Sequence, residues 1–284
     1  MNEKGFFRES FRRFRRHKLA MLGGVFLLVV GIVAIFAPQI APYNPSKTDY
    51  MNMEQGPSAK HLLGTDNIGR DVLSRIIFAS RVSLSVGLIT ALVSTVLGTA
   101  LGALAGYFGG IVDAVIMRSC DIFLSFPMLP IAIVIVAVLG PGTSNVILIA
   151  VLLSWPGLAR IVRGQYLSLR EQDYSQAARA LGVGPMRITF RHLLPNAMAP
   201  VIVWATLNVA QVIILEAALS FLGLGVQIPA ATWGNMLTDA QSIRIIEDLP
   251  WIWIPPGIMI FLTVLSINLL GDGLRDALDP SLKR

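Results

Sequence analysis

Over 284 residues, 54% are hydrophobic and only 14% charged, with a mean hydropathy of +0.67; this is too apolar for a soluble domain and indicates a chain that crosses a membrane several times. A single cysteine, Cys120, excludes an internal disulfide, and the three histidines, His17, His61 and His192, are too far apart to have metal-site spacing. The net charge of +6 reads, in so apolar a chain, as Lys and Arg held on the cytoplasmic side rather than as a nucleic-acid footprint.

Residues 1 to 18 carry seven Lys/Arg, with Phe6, Phe7, Phe11 and Phe14 interleaved with Arg12, Arg13, Arg15 and Arg16, a pattern that fits a basic cytoplasmic helix lying on the inner leaflet. The apolar run over 19–41 is long enough to span and lacks a cleavage site, so it is read as a retained first transmembrane helix. Residues 42–82 are polar and extracytoplasmic; Asp66, Arg70 and Asp71 are expected to pair locally, and Gly64 to Asp71 lacks the GK[ST] ending of a phosphate loop. Residues 83–284 then hold five further spans.

Of these, 83–105 carries Gly98, Gly102 and Gly106 on one face, a small-residue surface for another helix of this chain or for a second subunit. Residues 111–139 return across, with Asp113, Arg118 and Asp121 expected to pair at the cytoplasmic start. Pro127 and Pro130 are read as a kink, with a pore-lining hinge as the alternative. Residues 145–158 descend to Trp155-Pro156-Gly157. Residues 199–222 cross outward with Asn208, Gln211 and Glu216 as candidates for a translocation path; Glu216 has an equal alternative in capping or pairing at the outer interface. Residues 251–270 form the last span, and Trp233, Trp251 and Trp253 fit an interfacial belt. Cytoplasmic segments then hold 17 of the 23 Lys/Arg and outer segments 6, which favours an all-α, six-helix protein with both termini cytoplasmic.

Between the fourth and fifth spans, 171–195 is polar and punctuated. Asp173 is expected to N-cap a helix through QAARAL, Gly182 and Gly184 to end it, and Pro185 to start a second helix running to Pro195. Ala177, Ala178 and Leu181 would share one face and Met186, Phe190, Leu193 and Leu194 another, beside a basic stripe of Arg187 and Arg191. Such an elbow either rests on lipid headgroups or docks in the groove of a partner.

The residues Gln176-Ala177-Ala178, Gly182 and Leu194-Pro195 resemble, in register, the E-A-A-x3-G-x9-I-x-L-P loop of ABC importer permeases; Gln176 stands where that loop has glutamate and His192 where it has isoleucine. His61 to Asp71, HLLGTDNIGRD, with SFLGLG from Ser220 and NLLGDGLRDALDP from Asn268, resembles the C-type permeases of the dipeptide, oligopeptide and nickel importers. The resemblance implies a type I ABC importer permease fold in the bacterial inner membrane. It also implies an ATPase-docking role for Asp173, Tyr174, Gln176, Ala177, Ala178, Arg179, Gly182, Arg187 and Pro195. The implied partners are a homologous B-type permease, two cytoplasmic ATP-binding subunits that hold the ATP and Mg, and an extracytoplasmic solute-binding protein. No Walker loop and no nucleophile–base constellation is found, so neither catalysis nor a cofactor is expected of this chain. Dipeptides or oligopeptides are the expected substrate, with nickel or glutathione as alternatives. A stand-alone secondary transporter is the rival class, and it would be expected to show inverted repeats or several intramembrane charges.

Overall fold

The computed structural model describes residues 17–278 together with Arg12, Phe14 and Arg15. The rest of the expected inner-leaflet helix, with Phe6, Phe7, Phe11, Arg13 and Arg16, lies outside the described residues. Among those described, all regular structure is helical apart from one isolated bridge between Thr65 and Asp71.

The first span, α1 (Lys18–Ile35), is capped by His17, whose Nδ1 accepts the Ala20 N–H at 3.2 Å, and ends just before Pro38. It sits at the edge of the bundle, with Leu22, Leu28 and Ile35 exposed as lipid-facing residues are. Gly23 allows it to lie against the last span, because an added Cβ there would come 2.7 Å from the Ser266 carbonyl.

The second span, α2 (Val72–Phe108), begins eleven residues before the sequence boundary at 83. Asp71 caps it by accepting the Ser74 N–H at 2.8 Å, and Val72, Ile76 and Ala79 bury against Trp233. At about 1.5 Å per residue its 37 residues reach roughly 55 Å, well beyond a ~30 Å hydrocarbon core. Arg75 and Arg81, counted as loop charges from sequence, therefore lie on this helix.

The third crossing is broken. α3 (Gly110–Leu124) and α4 (Met128–Leu139) meet at 91° around Pro127. This is a hinge-sized bend rather than the kink expected: Pro127 lacks the N–H to continue the ladder, and the Ser125 hydroxyl donates to the Ile122 carbonyl at 2.7 Å. α5 (Thr143–Leu169) runs through Pro156 without stopping, so Arg160 and Arg163 are helical rather than part of a loop.

Gly98, Gly102 and Gly106 pack on α5 of the same chain. Added Cβ atoms would lie 2.7 Å from the Trp155 carbonyl at Gly98 and 2.9 Å from the Val162 Cβ at Gly102, so two backbones meet where ordinary side chains do not fit. Gly102→Leu is expected to cost about 3 kcal/mol or more by overpacking, read as loss of folded protein in detergent size-exclusion chromatography.

After a short helix α6 (Asp173–Ala180) the chain turns into α7 (Leu194–Phe221). Beyond α7, a cap is built from 42–71 and 222–249, including α8 (Ile243–Asp248), before the last span, α9 (Pro250–Leu278). Asp66 accepts from Arg70 at 2.6 Å and lies 3.5 Å from Arg75; Asp71 pairs with His61 at 2.8 Å. Asn67 donates to Asp239 at 2.9 Å, and Glu54 meets Arg244 at 2.5 Å. Burial, and then the nearby charge of Asp66, push the Asp239 carboxyl above its usual range. The local pairing expected of Asp66 and Arg70 is present, while Asp71 takes a histidine instead. Trp233 is fully buried and donates to the Ile76 carbonyl at 3.4 Å, so it belongs to the core and not to an interfacial belt.

Candidate functional site: the clamped elbow

The polar stretch after α5 folds as an elbow. Gln172 is the N-cap of α6, so Asp173 occupies the first helical turn, one position later than expected, where its charge still faces the positive helix end. Gly182 has φ +75°, its N–H donates to Arg179 O at 2.9 Å, and Val183 N–H donates to Ala178 O at 3.1 Å. These are the two bonds of a Schellman stop, which needs glycine in the left-handed region. Gly184 has φ −62° and plays no such part.

From Pro185 the chain re-enters a helix, passes through a π turn over Ile188–Leu193 and continues into α7. The second helix thus does not stop at Pro195. Pro195 has no N–H to offer, and the widened turn sends the Leu194 N–H to Thr189 O.

The faces read from spacing are divided: Ala178 is buried while Ala177 and Leu181 are exposed, and Leu193, at the end of the π turn, is buried while Met186 and Phe190 are exposed. Ser175, Ala178, Ile188, Thr189 and Leu193 are buried, with Ala178, Ile188 and Leu193 against Leu158, Val162 and Tyr166 of α5. Ala177, Leu181, Met186 and Phe190 point away from the bundle, Leu181 at 84% exposure, with Tyr174, Arg187 and Arg191 beside them. Partial burial pushes the Tyr174 phenol above its usual range.

Three ties hold the elbow to the bundle, and a fourth bond, from Arg170, closes the end of α5 onto α2. Tyr166 OH donates to Thr189 O at 2.9 Å; Arg170 donates to Gly106 O at 3.1 Å; Arg179 donates to Arg170 O at 3.2 Å; and the Arg179 guanidinium lies 5.4 Å from the Tyr107 ring centroid. Arg179, expected at a partner contact, is exposed and also reaches back to Arg170 and Tyr107. Tyr107, Tyr166 and Arg170 were missed, because each sits at the end of a span and nothing in the spacing links them.

Gln176 donates its amide to Glu171 O at 3.0 Å, a bond that a carboxylate cannot make. The site is exposed and the bond marginal, so Gln176→Glu is expected to leave uptake within about twofold of the parent in a transport assay.

Of the polar residues in α7, Asn208 is buried and donates to Ser94 Oγ at 3.0 Å, binding α7 to α2. Glu216 is buried and accepts from Ser220 Oγ at 2.6 Å. Gln211, mid-span, is exposed.

Among the described residues, five helices long and apolar enough to cross a membrane and a sixth, bent pair, with a clamped polar elbow at one end and a knitted cap at the other, define a multi-pass helical membrane protein. The family described as the binding-protein-dependent transport system inner membrane component matches residues 98–284, and the N-terminal transmembrane domain of oligopeptide transport permease C matches 5–57. Among curated relatives, the glutathione transport system permease protein GsiD of Escherichia coli O157:H7 is 45% identical over 97% of this chain and 90% of its own length. The dipeptide transport system permease protein DppC of Alkalihalophilus pseudofirmus is 44% identical over the same shares. Two solved structures of the MetNI methionine ABC transporter in inward-facing conformations align over 70% of this chain and 93% of theirs, at 21% and 20% identity and TM-scores of 0.53 and 0.55. The chain belongs to the inner-membrane ABC importer permeases of the dipeptide and oligopeptide family, with the type I importer fold.

Proposed function

We propose that this chain is the C-type half of a peptide importer whose ATP hydrolysis takes place, with Mg, on two cytoplasmic ATP-binding subunits docked at the elbow and at its counterpart on a homologous B-type permease. The elbow, both termini and the basic face are cytoplasmic, and an extracytoplasmic binding protein delivers substrate to the cap. One observation carries the docking reading: Ala177, Leu181, Met186 and Phe190 are exposed apolar residues on an element otherwise pinned to the bundle at three points. Exposed apolar residues on a rigid helical support are what a partner groove takes up.

Small peptides are the substrate class. The glutathione and dipeptide relatives support peptide cargo about equally, since both ligands are short peptides. Of the three polar residues in α7, Gln211 is the one whose side chain is offered to a path; Asn208 fixes α7 against α2, and Glu216 holds Ser220 one turn on in α7 itself.

Docking is tested by Leu181→Cys in the assembled importer, with cysteine substitutions scanned around the ATPase groove. A disulfide cross-link that changes with nucleotide is expected. Its absence at every scanned position, together with gradient-driven uptake by the chain alone, would establish the rival reading of a secondary transporter.

A further inference from the structure

Helix α3 is held weakly along its length. Its one buried residue is Cys120, which with Ile116, Met117 and Phe123 packs against Leu101, Trp155 and Ala159. At its start α3 follows α2 across the single residue Gly109, and past Leu124 the chain bends by 91° into α4, so α3 lies between two breaks in the backbone.

Between those breaks, ion pairs tie α3 to α5. Arg163 of α5 grips Asp113 in a two-bond fork, Nε to Oδ1 and Nη2 to Oδ2, both at 2.5 Å. Arg160 meets Asp121 at 2.5 Å, and Arg118 lies 3.8 Å from Asp121. Sequence spacing had these acids pairing with Arg118; α5 supplies the main partners instead. The five residues border a cavity of about 520 Å³ between α3 and α5, so the charged pairs bridge a gap that apolar packing leaves open.

The two bridges are not equivalent. The Asp121 and Arg160 side chains are both 48% exposed, and Asp121 sits one turn from the hinge. The Asp113 side chain is 19% exposed and lies in the first turn of α3, twelve residues from Ser125, or about 18 Å along the helix. A fork of parallel bonds fixes orientation as well as distance.

On the other side, Arg163 belongs to the turn of α5 that carries the elbow. Tyr166, three residues on, donates to Thr189 O, and Arg170 to Gly106 O.

We propose that the Asp113–Arg163 pair is a positioning strut that passes displacement of the elbow to α3 and so to the broken crossing, coupling ATP-driven motion to opening of the path. This rests on the reading of the elbow as the ATPase dock.

The test uses the assembled importer in proteoliposomes, measuring uptake and ATP hydrolysis separately alongside the Leu181→Cys cross-link. In Asp113→Asn and Arg163→Gln, cross-linking and ATP hydrolysis are expected to persist while peptide taken up per ATP falls at least fivefold. The exchanged pair Asp113→Arg with Arg163→Asp is expected to recover at least half of the parental ratio, and Arg163→Lys, which keeps the charge but not the fork, to fall between. Single variants with an unchanged ratio overturn the strut, as does an exchanged pair no better than the singles. Absence of the cross-link in the parent removes the dock and the strut together. If the singles do not assemble, Arg163→Lys and the exchanged pair decide by the same ratio.

Discussion

Replacing Gly182 with glutamate is expected to abolish uptake while leaving the chain inserted and folded. The backbone at Gly182 has φ +75°, where a side chain is disfavoured by about 1 kcal/mol, but nothing lies within 4 Å of an added Cβ. The new side chain therefore disturbs little of the bundle and projects beside Leu181, at the centre of the exposed apolar face. A carboxylate brought into a partner groove there must be desolvated without a counter-ion, a loss of several kcal/mol in docking. Uptake should fall at least a hundredfold, with membrane abundance and detergent melting close to the parent. Gly182→Ala, which bears the same backbone strain without the charge, should retain most uptake. Normal uptake by the glutamate variant would mean that the elbow is not where the ATPases grip.

Asp66→Ala is expected to have the opposite signature, removing the protein rather than its coupling. The Asp66 carboxylate is 4% exposed and accepts from the Arg70 guanidinium and from the Ile68 and Arg70 N–H groups, with Arg75 3.5 Å away. Its loss leaves two buried guanidiniums facing each other with the distributed charge of Asp239 as compensation. Breaking a buried pair in this way typically costs about 3–5 kcal/mol, a large share of the stability of an ordinary domain. The cap unites 42–71 with the segment before α9, so its opening also frees the start of α2. Strongly reduced membrane abundance with a lowered melting midpoint is the expected result, and Asp66→Asn, which keeps one acceptor, should be milder. Parental abundance for Asp66→Ala would show that the cap contributes nothing to folding.

Much of the architecture was legible because a bilayer imposes simple rules. Apolar runs of about twenty residues must be helices, and the glycine row at 98, 102 and 106 had to meet another backbone closely. The punctuation of the elbow was also readable, since Gly182 and Pro185 act through their own φ angles. What depended on more than one segment was not legible. Helix ends were extended at Val72, past Leu158 and past Leu270 by contacts with residues far away in sequence. The second face of the elbow is divided because a π turn over Ile188–Leu193 shifts the phase that periodicity assumes to be constant, and the first because only Ala178, not Ala177, meets α5.

By itself, then, the sequence determined the architecture: hydropathy and local turn chemistry are properties of single segments, and they suffice for a helical membrane protein with a polar elbow, while the permease class rested on the resemblance carried by HLLGTDNIGRD and the loop from Gln176 to Pro195. Only the tertiary structure decided which elbow residues face out, that the crossing at Pro127 bends by 91°, and that Asp113 belongs to Arg163 rather than to Arg118. The reason is physical. An ion pair or a buried face is set by the distance between two helices, and that distance follows from packing along the whole bundle rather than from the spacing of residues within one of them.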